Sequence, residues 1–316
     1  MNTRRQPTRR RISPAWILAT SIVGLAALPS SAVSEPPLTP QLAIRADDVG
    51  MSHTVNSAIE KLLATGVPFS ASVMVACPWY LEALEMLRDQ PQVSVGIHLV
   101  LNSEWEHYKW SPVLGGSAVP TLVDENGHFY ATEAAFAAAD VDLDEVRREL
   151  RAQIERARRT GVRIDYLDYH MLTAVSTPEL RAIVEDLARE NGFGLSRYFG
   201  ERSASLWDVA PEKKLSTLQA ILGEVRPDRP NLLVLHLGLE TPEMTALVDL
   251  NNSADPFRVA KHRQAELDAI TSPAFRRAIG IHGIALVTYR DLIEQQGLDS
   301  MVAPQSTGYS METAEE

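Results

Sequence analysis

The chain is predicted to adopt an α/β fold, a TIM-like (β/α) barrel with eight strands or fewer. Three observations predict this. Short apolar runs alternate with amphipathic helical stretches through six or seven units. Strand and helix take turns in a regular order, which favours a barrel over an open, doubly wound sheet. Aspartates and histidines recur at the downstream ends of the apolar runs, the end at which a parallel barrel gathers its chemistry.

Residues 1–34 stand apart from that pattern. "MNTRRQPTRRRIS" is basic, "PAWILATSIVGLAALP" is apolar, and "SSAVS" places small residues at −3 and −1 of a cut after Ala32 or Ser34. This is the layout of a bacterial-type signal peptide, and it predicts an exported, periplasmic or secreted protein. The apolar run is short and interrupted for a membrane span, so no stable insertion is expected after cleavage. Paired arginines such as Arg9–Arg10 leave Sec and twin-arginine export both open.

The first strand is read at "QLAIRA". The helix "SHTVNSAIEKLLATG" follows, with Ser52 as its N-cap and Gly66 as its stop. "FSASVMVA" is the second strand and "YLEALEMLRDQ" the next helix. "VSVGIHLVL" is the third strand. The connection from about Asn102 to Asp142 is too long for an ordinary βα loop. In "DLDEVRRELRAQIERARRTG", Val146, Leu150, Ile154 and Ala157 fall on one helical face. "RIDYLDYH" is the fourth strand. "TPELRAIVEDLARENG" is a helix capped by Thr177, with Pro178 at its first position. A short strand near "GLSRYF", a helix around "EKKLSTLQAILGEV" and the strand "NLLVLHLGL" come next. Helical stretches from Pro256 to Ala278 and a strand at "GIALVTY" close the barrel. One barrel domain is therefore expected over residues 35–300, followed by a polar, loose tail at 301–316.

Without the first 34 residues, which hold five arginines and no acid, 25 Lys and Arg face 41 Asp and Glu, a net charge of −16. Such a chain is repelled by nucleic acid and anionic lipid, and a neutral or amine-bearing substrate suits it better. Cys77 is the one cysteine, so no intramolecular disulfide and no cysteine-based zinc site can form. Its apolar surroundings read it as a small core residue.

Asp47 and Asp48 end the first strand. His98 lies near the end of the third, His170 ends the fourth, and His236 lies late in "NLLVLHLG". Any one of these has a plain alternative: a strand-end aspartate is often a turn residue, and a histidine in an apolar run is often a core residue. Their coincidence on one rim argues for more. Two adjacent carboxylates raise each other's pKa in a partly buried place, and a bound cation removes that cost. An Asp-His-His set holds a divalent ion with a position left open. Imidazole with carboxylate suits zinc first, with magnesium or another divalent ion as alternatives. The neighbouring carboxylate, turned by the strand end, suits a general base.

These segments resemble the YdjC-like, or ChbG-type, carbohydrate deacetylase family over most of the chain. "ADDVG" with the following "S…VN.AI", "VGIHLVL", "PTLVDENGHFY", "YLDYH", "LVLHLGLETPEM" and "RQAELDAITSPAFRRAI" occur in the family's order. The kinship is with members carrying "HLVL" and then "SEW", here Ser103, Glu104 and Trp105. The resemblance implies metal ligands Asp48, His98 and His170, a base at Asp47 and a general acid at His236. It places Asp168 behind them, orienting a ligand or the base; an exposed strand-end carboxylate is the alternative. The family's late His often precedes Pro-Gly, whereas Leu237 and Gly238 follow here, which leaves the leaving-group geometry open.

The implied reaction is hydrolysis of an N-acetyl group on an amino sugar or oligosaccharide. Trp105, Tyr108 and Trp110 could stack on sugar rings or simply pack over the barrel mouth. Arg263 and Glu266, one helical turn apart, are read as a surface pair. Hydrolysis of another ester or amide bond, and a non-catalytic sugar-binding barrel, remain as rivals. A glycosidase needs carboxylates about 5–10 Å apart across the bond, which adjacent aspartates cannot supply. Self-association into a homo-oligomer is left open.

Overall fold

The computed structural model describes residues 38–304. The signal-peptide reading and nearly all of the proposed tail lie outside them. No helix among the described residues is long and apolar enough to cross a membrane.

Eight parallel strands form one sheet: β1 (Gln41–Val49), β2 (Phe69–Val73), β3 (Val93–Leu99), β4 (Tyr166–Tyr169), β5 (Gly194–Leu195), β6 (Arg202–Ser205), β7 (Asn231–Leu235) and β8 (Ala285–Val287). Seven lie on the path β5-β4-β3-β2-β1-β7-β6, one fewer than a closed eight-stranded barrel. The eighth, β8, joins only β1, beside its first three residues. The end strands β5 and β6 do not pair, so the barrel stays open between them. Strands β2, β3, β4 and β7 are buried along their whole length. Both faces of these strands are covered, and the small or polar positions of β2 and β3, Ser70, Ser72, Ser94 and Gly96, are buried with the apolar ones.

The helices are α1 (His53–Leu63), α2 (Tyr80–Leu87), α3 (Glu133–Ala138), α4 (Leu143–Arg158), α5 (Pro178–Asn191), α6 (Lys214–Gly223), α7 (Pro242–Thr245), α8 (Val259–Thr271), α9 (Pro273–Ile281) and α10 (Tyr289–Gln296). Ser52 and Thr177 cap α1 and α5 as expected, each side-chain oxygen accepting from the backbone N–H three residues on. The face of α4 predicted to be apolar is buried. The same helix also buries polar residues that order the long connection. Glu149 accepts from the backbone N–H groups of Val113 and Leu114, Glu145 accepts from Thr121, and Gln153 pairs with both backbone groups of Val100. Cys77 is free and buried.

Local readings differ from the structure at one strand and at the shorter elements. The strand near "GLSRYF" shrinks to two residues, because Arg197 at φ +71 turns the chain away. The strand β6 and the short helices α3, α7 and α10 are not signalled in the sequence. Their sequences are too short or too polar to show a period, and pairing with β7 supplies what β6 lacks in pattern.

Candidate metal and catalytic site

The first strand runs on through both aspartates, and its backbone decides where they point. Arg45 and Asp47 are two apart in an extended strand, so they share a face. The Arg45 guanidinium grips Asp47 with two bonds, Nε to Oδ1 at 2.7 Å and Nη2 to Oδ2 at 2.6 Å. Strand alternation would send Asp48 the other way. Instead Asp48 has φ +60, and the β1–β2 register slips between Ala46 and Val49. A left-handed aspartate costs about 1–3 kcal/mol. It turns the second carboxylate toward the same cavity as the first.

The structure brings Asp48, His98 and His170 together. Asp48 Oδ1 lies 3.4 Å from His98 Nε2 and 3.2 Å from His170 Nδ1, and these two nitrogens are 3.3 Å apart. All three residues are buried. Their far sides are held by other groups. Asp168 Oδ2 lies 2.7 Å from His98 Nδ1, Glu104 Oε2 lies 3.0 Å from His170 Nε2, and Arg263 Nη2 donates to Asp48 Oδ2 at 2.5 Å. One oxygen and two nitrogens therefore converge, and Asp48 Oδ1 has no hydrogen-bond partner. Carboxylate oxygen and imidazole nitrogen in that number fit a divalent cation. A second grouping, Asp47, His98 and Asp168, fits poorly. Arg45 already lies between its two carboxylates, with Nη1 at 2.8 Å from Asp168 Oδ1.

Electrostatics follow from this arrangement. Burial alone would raise the Asp48 carboxyl, but the Arg263 guanidinium and the two imidazoles hold it well below the usual carboxylate range. Burial opposes charge on the histidines, yet Asp168 brings His98 up to about 9 and Glu104 brings His170 up to about 10. Without a metal both rings are cationic at neutral pH, and an incoming ion must displace their protons. Asp168 is held down to about 2 because Arg45 and His98 outweigh its burial. For Asp47 burial outweighs Arg45, and its pKa is raised.

His236 stands one residue past β7. Its Nε2 is 4.0 Å from Asp47 Oδ2, and its backbone N–H donates to Glu266 Oε2 at 2.6 Å. Desolvation, aided by nearby cations, pushes the imidazole down to about 3, so it rests neutral. Trp207 lies against it, with ring centroids 5.0 Å apart.

The surface-pair reading of Arg263 and Glu266 is wrong. Both are buried on α8, and they bond to different partners. Arg263 takes Asp48, while Glu266 takes His236 and the ammonium of Lys214 at 2.7 Å. Their spacing of three fits a surface pair equally well, and only the packing of α8 distinguishes the two. Of the aromatics in the long connection, Tyr108 and Trp110 pack, donating to the carbonyls of Met51 and Asn102. Trp105 is buried but lines a cavity of about 350 Å³ that also holds all five predicted residues. Trp207, which lines it too, carries no signal in the sequence beyond being a lone tryptophan. Glu104 carries no signal in the sequence beyond its place in "SEW".

Comparison with known proteins places this arrangement in a lineage. The YdjC-like protein family profile matches residues 41–280. A carbohydrate deacetylase from Enterococcus faecalis is 28% identical over 273 residues, covering 80% of this chain and 98% of that protein. Carbohydrate deacetylase 1 from Listeria innocua is 26% identical, covering 80% and 100%. Among solved structures, an Enterococcus faecalis protein provisionally described as cleaving cellobiose phosphate superposes with a TM-score of 0.66 at 26% identity, covering 80% of this chain and 99% of that one. With a profile match over most of its length and its strand-end carboxylates and imidazoles gathered at one cavity, the chain belongs to the YdjC-like protein family.

Proposed function

We propose that this protein is a metal-dependent carbohydrate deacetylase that hydrolyses the N-acetyl group of an amino sugar or oligosaccharide. The observation that carries this reading is the convergence of Asp48, His98 and His170 on one point, with the Asp47 carboxylate beside it. The names of the relatives support the substrate class.

Asp48 Oδ1, His98 Nε2 and His170 Nδ1 would hold the ion, zinc or another divalent cation. When bound, it supplies Lewis acidity to the acetamide carbonyl and to water. Asp47, clamped by Arg45 and made more basic by burial, takes the proton of the attacking water. His236, whose Nε2 stands 4.0 Å from Asp47 Oδ2 on the wall of the same cavity, is placed to protonate the departing amine. Asp168 and Glu104 orient His98 and His170 from behind. Trp105 and Trp207 give the cavity apolar walls against which a sugar ring can lie. The basic and then apolar N-terminal pattern supports export, which cell fractionation would test.

Acetate release from N-acetylated chito-oligosaccharides and other acetylated glycans, before and after chelation, tests the reading. Release that stops on chelation and returns with metal is expected. No release from any such glycan, or a rate unaffected by chelation, would overturn it.

A further inference from the structure

We propose that Arg263 binds substrate: its free Nη1–H donor takes an acceptor oxygen of the acyl group, either the carbonyl of the acylated sugar or the carboxylate of the released acid. The ligand class rests on the deacetylase reading; the site itself rests on the following geometry.

Arg263 is 1% exposed, yet it spends one terminal nitrogen, Nη2, on Asp48. Its Nε and Nη1 have no hydrogen-bond partner among the described residues. A guanidinium has five donors and no acceptor, and each buried donor left unmade costs about 1–3 kcal/mol. Such a cost persists where a ligand meets it. The side chain lines the same cavity as Asp47, Asp48 and His236. Two indole rings flank its head, with the guanidinium carbon 6.0 Å from the Trp105 centroid and 5.6 Å from that of Trp207. They hold the plane of the fork without using its donors.

Gly238 provides a second, independent observation. A Cβ built on it would meet Arg263 Cβ at 3.0 Å and Cδ at 3.2 Å. The glycine two residues after His236 is thus the gap through which the arginine stem reaches the cavity. The loop that carries His236 and the helix that carries Arg263 are cut to fit each other at this point. The free Nη1–H, on a guanidinium already fixed by Asp48 through Nη2, matches a carbonyl or carboxylate oxygen as acceptor. The phosphate alternative would need further cations, and the cavity wall offers Glu104, Glu133, Asp208 and Asp249 alongside Arg258.

The test measures acetate binding by calorimetry to the metal-loaded protein, without turnover. Three variants are compared with wild type: Arg263→Lys, Arg263→Gln and Gly238→Ala. The lysine can still face Asp48 but lacks the fork. The alanine leaves every charge in place and displaces the arginine stem. Acetate binding is expected to weaken about tenfold or more in all three, while zinc affinity in Arg263→Lys and Gly238→Ala stays near wild type. In steady-state assays Arg263→Lys should lose kcat/KM and be less inhibited by acetate. Wild-type acetate affinity in Arg263→Lys, or no acetate binding by the wild type, overturns the proposal. A protein that binds acetate through Arg263 yet releases none from any glycan would sink the proposed function and leave this site standing.

Discussion

The two ends of β4 carry one aspartate each, three residues apart, and they are built to opposite ends. Asp165 precedes the strand. Its carboxylate is fully employed: Oδ1 takes Arg163, and Oδ2 takes Ser94 and Arg290. Its backbone pairs with Val95 on one side and Gly194 on the other. Asp168, near the other end, bonds His98 and Arg45 from behind the cavity. The cavity itself holds orphaned atoms on Asp48, His236 and Arg263. Three non-glycine residues with positive φ, Asp48, Met171 and Leu172, line that cavity. Satisfied polar groups mark the end that holds the fold. Unsatisfied groups on strained backbone mark the end that is shaped for a ligand.

The sharpest way to break the contrast is at Asp47. Asp47→Asn should keep its metal and lose kcat by about 10²–10⁴. Full activity in that variant would remove the base. Asp48→Ala should instead lose the metal, as metal analysis of the purified protein would report. Glu104→Ala should weaken zinc binding by about 10–100-fold, with Glu104→Gln closer to wild type because its carbonyl still accepts from His170. An unchanged zinc affinity in the alanine variant would reduce Glu104 to packing. At the other end, Asp165→Ala should cost about 2 kcal/mol in urea unfolding and leave kcat per folded molecule unchanged. A loss of turnover there would dissolve the distinction between the two ends.

The smallest effect is expected from pH alone, on the chelated protein. His98 and His170 have folded pKa values raised to about 9 and about 10. Their contribution to stability is therefore complete below the unfolded value near 6.5 and is lost as pH rises through those folded values. Melting of the metal-free protein should fall by a few degrees between neutral pH and pH about 10. The loaded protein, whose imidazoles are already neutral, should not share that loss. Equal pH profiles for the two forms would mean that the histidines do not face a common cation.

Much of the candidate site was legible because it follows strand periodicity. Asp47, His98 and His170 each end an apolar run, and a parallel barrel sends all such ends to one rim. What stayed hidden came from helices and loops. Arg263 sits in a helix whose polar residues look like an ordinary solvated face, and Glu266 and Lys214 share that disguise. Trp207 follows a four-residue strand that has no visible period.

The sequence by itself determined the order of the longer strands and helices, the caps at Ser52 and Thr177, and the set of carboxylates and imidazoles at strand ends. These depend on residue spacing within a turn or a strand, and so on local chemistry. Only the tertiary structure decided that Asp48 turns left-handed to join its neighbour, that Arg263 passes Gly238 to reach it, and that two carboxylates brace the two histidines. Those outcomes come from packing between segments up to 215 residues apart, which no local pattern encodes.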